Sequence, residues 1–135
     1  MPLYMLTSKR TISSTNKQKL VDLVVDAHCN IMVAPEQFVH VAFSDGVPIA
    51  NKNELYIQAT VRVGREKNQV IRLKQALQDS AAKILQVREN RIYVNLLEIQ
   101  SNWVMEGGHV MPAPGEEDEW MERVTKALAA EKKAE

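Results

Sequence analysis

A single cysteine, Cys29, is all that the chain offers, so no internal disulfide can form and no cysteine-based metal cluster is available. Standing alone, it reads as a small buried hydrophobe rather than a nucleophile. Net charge is also missing. Seventeen basic and seventeen acidic residues cancel, which leaves no overall field to draw nucleic acid or an anionic membrane to the surface, although a local basic site stays open. No run approaches the ~20 apolar residues that span a bilayer. The opening Met1-Pro2-Leu3-Tyr4-Met5 enters an apolar segment with neither a charged leader nor a small-residue cleavage site, which points to the cytoplasm. What remains is 45% hydrophobic and 25% charged in 135 residues, the make-up of an ordinary globular chain with room for one core and not for two.

Four short runs rich in β-branched, aromatic or long aliphatic side chains read as strands: Leu3 to Thr7, Phe38 to Ser44, Leu55 to Val61, and Ile92 to Glu98. Between the first two, Leu20, Leu23, Val24, Ala27 and Ile31 recur at helical spacing behind the polar Ser13-Ser14-Thr15. Between the last two, Val70, Leu73, Leu77, Ala81, Ile84 and Leu85 do the same. A shift of 54 sets Leu23 on Leu77, Ala27 on Ala81 and Ile31 on Leu85, so a duplicated β-α-β unit with halves at about 2–45 and 55–98 is expected. The fold class is therefore α+β: a four-stranded sheet with both helices on one face. Runs such as Phe38-Val39 and Leu96-Leu97 put apolar residues on both faces. The second face should be covered by partner subunits or by the C-terminal segment.

From residue 99 to 135 the character changes. Gly107-Gly108, Pro112, Pro114 and Gly115 read as loop. A last helix, about Glu116 to Lys132, runs from acidic to basic and carries Trp120, Val124, Ala127 and Leu128 along one side. Trp120 reads as a packing anchor that pins the loop before it.

Several residues are candidates for chemistry. Pro2 follows an initiator methionine of the kind normally removed, and its secondary amine would then be a base whose pKa, near 8 for an α-amino group, falls on desolvation. Arg62 and Arg65 stand three apart where the third strand turns into a helix, a placement suited to gripping a small carboxylate, or simply a surface pair. His28 lies on the apolar helix face, where a satisfied core histidine is the plain alternative to a catalyst. Glu106, among apolar residues and glycines, is either a base for activating water or an exposed loop acid.

In order and spacing these residues resemble the tautomerase superfamily, most closely its cis-3-chloroacrylic acid dehalogenase-like group. The likeness runs from Pro2 through Asp26-Ala27-His28, Arg62 and Arg65, the strand from Ile92 to Glu98, Glu106, and Pro112-Ala113-Pro114-Gly115 to Glu119-Trp120. It implies a homotrimer with each active site built around a proline amine, and no metal or organic cofactor. By the same resemblance Pro2 is the acid or base, Arg62 and Arg65 hold the substrate carboxylate, His28 assists binding, and Glu106 activates water with a tyrosine. Asn95 stands where that tyrosine is expected. Asparagine has no ionisable hydroxyl, so water addition should suffer more than proton transfer, unless Tyr93 on the same strand face compensates. Keto-enol tautomerisation of a small 2-hydroxy-2-alkenoate or aryl enolpyruvate is the leading expectation. Water addition to a 3-haloacrylate or acetylenic acid, and a non-catalytic trimer, are the others.

Overall fold

The computed structural model describes residues 2–134. Its elements run β1 (Leu3–Ser8), α1 (Ser14–Met32), β2 (His40–Ser44), β3 (Leu55–Arg62), α2 (Lys67–Leu85), β4 (Ile92–Ile99), the short strands β5 (Met105–Glu106) and β6 (His109–Val110), and α3 (Glu117–Ala134). The main sheet has the order β2-β1-β3-β4. Each outer pair is parallel and bridged by its helix, while β1 and β3 meet antiparallel at the centre, so the sheet is two β-α-β units set side by side.

Alternation along the strands decides which face is core. Tyr4 and Leu6 of β1, with Leu55, Ile57, Ala59 and Val61 of β3, point under the helices and are buried. The helices answer with Leu20, Val24, His28 and Met32 on α1 and Leu73, Leu77, Ala81 and Ala82 on α2. The opposite face is less covered. It leaves Leu3, Met5, Tyr93 and Leu97 exposed, each about two-fifths or more, so the C-terminal segment does not cover them as one expectation had it.

The structure corrects the internal register. Ser14 corresponds to Lys67 and Met32 to Leu85, the left-handed residues Val33 and Gln86 close the two helices, and three-residue 3-10 turns follow at Glu36–Phe38 and Glu89–Arg91. All of these give a shift of 53, one less than the sequence match suggests. Under it Leu20 meets Leu73, Val24 meets Leu77 and His28 meets Ala81, which are the buried positions.

Other boundaries also move. The second strand starts at His40, because Phe38 lies in the 3-10 turn and packs edge-on against Trp120 at 5.5 Å. Gly107 and Gly108, expected as loop, are the two-residue turn of the β5-β6 hairpin. Both have positive φ, 59° and 83°, the conformation that matches strand twist in such hairpins. Trp120 does pin the segment before it: its indole N–H donates to the Val110 carbonyl at 2.6 Å, and its ring joins Phe38 and Met111 in a second small core. Cys29 is only partly buried, which corrects its reading as a core residue. Burial, followed by the nearby Glu36 and Asp26 carboxylates, pushes its thiol pKa up and keeps it protonated.

Candidate active site

Pro2, His28, Arg62 and Arg65 line one cavity, together with Pro35 and Glu117. Four separate parts of the fold deliver the first four. Pro2 precedes β1 and is buried; its carbonyl accepts from the His40 N–H at 3.0 Å, and the next N–H, of Leu3, donates to Thr60 Oγ1 at 3.1 Å. Those bonds tie the start of the chain to β2 on one side and β3 on the other. Arg62 is the last residue of β3, and the chain reverses through Gly64, whose φ of 92° is one that side chains other than glycine avoid. The reversal brings Arg65 back beside Arg62. The cavity measures about 30 Å³, room for roughly one water.

His28 is 2% exposed, and its Nδ1 lies 2.7 Å from the Tyr4 hydroxyl. Tyr4 is fully buried, and His28 Nδ1 is its hydroxyl's one hydrogen-bond partner among the described residues. A buried O–H does not leave its proton unused, so Tyr4 donates to Nδ1 and His28 carries its own proton on Nε2. Burial, then the charge of Arg65, lowers the His28 pKa to about 4, so the ring is neutral near pH 7. Burial likewise raises the Tyr4 pKa, which keeps the hydroxyl a donor. The sequence reading passed over Tyr4, since an inward tyrosine in a strand looks like core.

The arginines are held differently. Arg65 Nη1 donates to the Met32 carbonyl at 2.6 Å, at the C-terminal end of α1, where no basic residue of that helix stands. Its pKa is lowered, by burial first and then by Arg62. Arg62 Nη1 donates to Glu117 Oε1 at 2.7 Å. Arg62 holds the Glu117 carboxyl below its ordinary range, so Glu117 is ionised. Each arginine also has a buried Nε–H without a hydrogen-bond partner in the described structure.

Glu106 and Asn95 do not line this cavity. Glu106 sits on β5 and is hydrogen-bonded to His40 Nε2, the side chain of the residue whose backbone holds Pro2. It therefore stands at the sheet edge nearest the chain's start. Neither His40 nor its bond was foreseen. Asn95 pairs in register with Gln58, four residues back along β3 from Arg62, roughly 13 Å along the strand. Tyr93 is farther still: it pairs with Tyr56 and packs on that ring at 4.9 Å, at the opposite end of β3 from Arg62. Within one chain, then, neither Asn95 nor Tyr93 reaches this cavity. Met1, whose removal would free the Pro2 amine, lies outside the described residues. Among the described residues no group of three histidine, cysteine or acidic side chains is placed to hold a metal, and no helix is long and apolar enough to cross a membrane.

No protein-family model and no curated protein matches the chain. Solved structures do. N1, a member of the cis-3-chloroacrylic acid dehalogenase (cis-CaaD) family, is similar over 96% of both chains at 27% identity, with a TM-score of 0.83. MIF2 of Leishmania major matches 81% of this chain and 96% of its own at 18% identity and a TM-score of 0.71. The R7 fused 4-OT, an asymmetric trimer, matches 80% and 94% at 20% identity and a TM-score of 0.70. The last two are similar in fold alone.

Proposed function

On the premise that the chain is a tautomerase-superfamily protein, with a cis-CaaD family member among its structural relatives, we propose that it is an isomerase. Its Pro2 amine interconverts the enol and keto forms of small 2-hydroxy-2-alkenoate or aryl enolpyruvate acids. The observation that carries this reading is the convergence of Pro2, His28, Arg62 and Arg65 on one cavity.

The chemistry follows from those four groups. Neutral Pro2 takes the proton of the enol hydroxyl; the oxygen's electrons form the carbonyl, and the double bond takes a proton from the prolinium at carbon. Nothing is oxidised and no co-reactant is consumed. Two neighbouring guanidinium groups and a buried position favour the neutral amine, the form a base needs. Arg62 and Arg65 hold the carboxylate, and the His28 Nε2–H donates to the oxygen that changes from hydroxyl to carbonyl. A neutral donor suits this role, since it is not itself a competing acid near pH 7. No metal or organic cofactor takes part in the reading.

The test begins with intact mass, to establish that Pro2 is the first residue, and continues with phenylenolpyruvate and cis-3-chloroacrylate as substrates. Ketonisation of the first, lost in Pro2→Ala, is the expected result. Equal rates with and without Pro2 would refute it. Water addition stays as a second reading because of the likeness to N1 and because Glu106 stands near Pro2 through His40. It needs a protonated Pro2, so its rate should fall as the amine loses its proton, where the tautomerase rate rises. A homotrimer of this chain is part of the proposal, supported by the uncovered apolar sheet face and by trimeric relatives of the same fold.

A further inference from the structure

Glu117 is the one acid among the residues lining the Pro2 cavity. It is the first residue of α3, and it reaches across to Arg62 at 2.7 Å while both side chains are largely withdrawn from solvent, 29% and 15% exposed. The cavity thus already contains a carboxylate on a guanidinium, the contact that a bound acid would make. Two consequences follow. The space left, about 30 Å³, does not admit an organic acid alongside Glu117. A second carboxylate at Arg62 would also face a negative charge within a few ångströms, a repulsion that low local polarity strengthens.

We propose that Glu117 is a specificity-determining residue, an internal carboxylate that occupies Arg62 until a ligand acid displaces it. Displacement turns the first turn of α3 outward, enlarges the cavity, and frees Arg62 to act with Arg65. Acids that engage both guanidinium groups recover the lost Arg62 contact, and acids that reach Arg65 alone do not. The buried Nε–H groups of both arginines fit this arrangement, since Glu117 and the Met32 carbonyl leave them unused. The second core made by Trp120, Phe38 and Met111 holds α3 three residues further on, so the turn at Glu117 can swing while the helix stays anchored. This inference rests on the reading that the cavity takes small carboxylates, and it adds what the ligand must compete against.

Calorimetric binding of 2-oxobutanoate to the full chain, with Met1 removal verified, tests it. Glu117→Gln should bind the acid about tenfold more tightly, the size of one charge-assisted hydrogen bond no longer contested. Glu117→Asp, which keeps the charge and shortens the reach, should also bind more tightly, and it guards against a fold defect specific to the first variant. In an Arg62→Met background the gain from Glu117→Gln should vanish. Bound acid should speed hydrogen exchange at residues 117–120 of the unaltered protein. Unchanged or weaker binding in both Glu117 variants, with binding still dependent on Arg65, would overturn the role of Glu117 and leave the carboxylate site standing. No binding in any of the proteins would remove both.

Discussion

The two β-α-β halves share a backbone and differ in what they do with it. Under the 53-residue equivalence Pro2 corresponds to Leu55, Tyr4 to Ile57, His28 to Ala81, and Arg65 to Ile12. Every one of those counterparts is apolar and buried. The place that holds a polar cluster in one half is therefore filled with hydrocarbon in the other. In the proposed function the first half carries the reacting amine at Pro2, while its counterpart Leu55 is locked in amide bonds on both sides. With no amine to serve, the matching polar groups would be buried without partners, at about 1–3 kcal/mol each. The second half instead supplies the arginines, Arg62 from the end of β3 and Arg65 from the β3-α2 turn, and the cavity draws on both units.

Removing the polar groups that the two halves do not share should break the proposed function in steps. With Met1 removed, Pro2→Ala leaves an amine that is primary and differently placed, and kcat/KM for enol ketonisation should fall on the order of a thousandfold. His28→Ala installs the residue found at position 81, and its clearest signature is in stability against pH. The folded-state pKa of His28 is lowered from 6.5 to about 4, so the folded protein binds the proton more weakly than the unfolded chain. The stability of the native protein is then complete above pH 6.5 and falls as pH drops towards 4, by about 3 kcal/mol at most. Thermal melts of His28→Ala across that range should lose most of this slope, though the variant is less stable at pH 7 because the Tyr4 hydroxyl is left unpaired. A slope unchanged by the substitution would count against a buried neutral His28.

Arg65→Ala should raise KM for an enol acid roughly a hundredfold with a smaller change in kcat, the pattern of a lost ground-state contact. The smallest effect concerns the helix starts. The Ser13 side chain accepts the Asn16 N–H at 3.1 Å, whereas at the matching Glu66 the backbone N–H donates to Gln69 Oε1 at 3.0 Å. Ser13→Ala should lower unfolding free energy by about 1 kcal/mol in denaturant titration with no change in kcat/KM.

Much of the architecture was legible because strong signals agreed: apolar runs bounded by polar residues, helical spacing, and a polar cap before each helix. The internal register slipped by one because Leu23 and Ala27 resemble Leu77 and Ala81 by type, while the buried line runs one position later through Val24 and His28. Residue identity pulled one way and burial the other. Phe38 misled for a related reason, since an apolar residue next to a strand looks like part of it, and its partner Trp120 is 82 positions away in the sequence. Pro2, His28, Arg62 and Arg65 were found through chemistry and resemblance, and they do converge. Glu117 was missed because four acids in succession, Glu116, Glu117, Asp118 and Glu119, look like an ordinary acidic first turn. Nothing local tells which of them reaches across to β3.

Arg65 has two employments that cannot be separated. Its guanidinium closes the C-terminal end of α1 through the Met32 carbonyl while facing the cavity beside Pro2. Warming that loosens this helix end will also free Arg65, so under the proposed function affinity for small acids should decline with temperature ahead of the global melting transition.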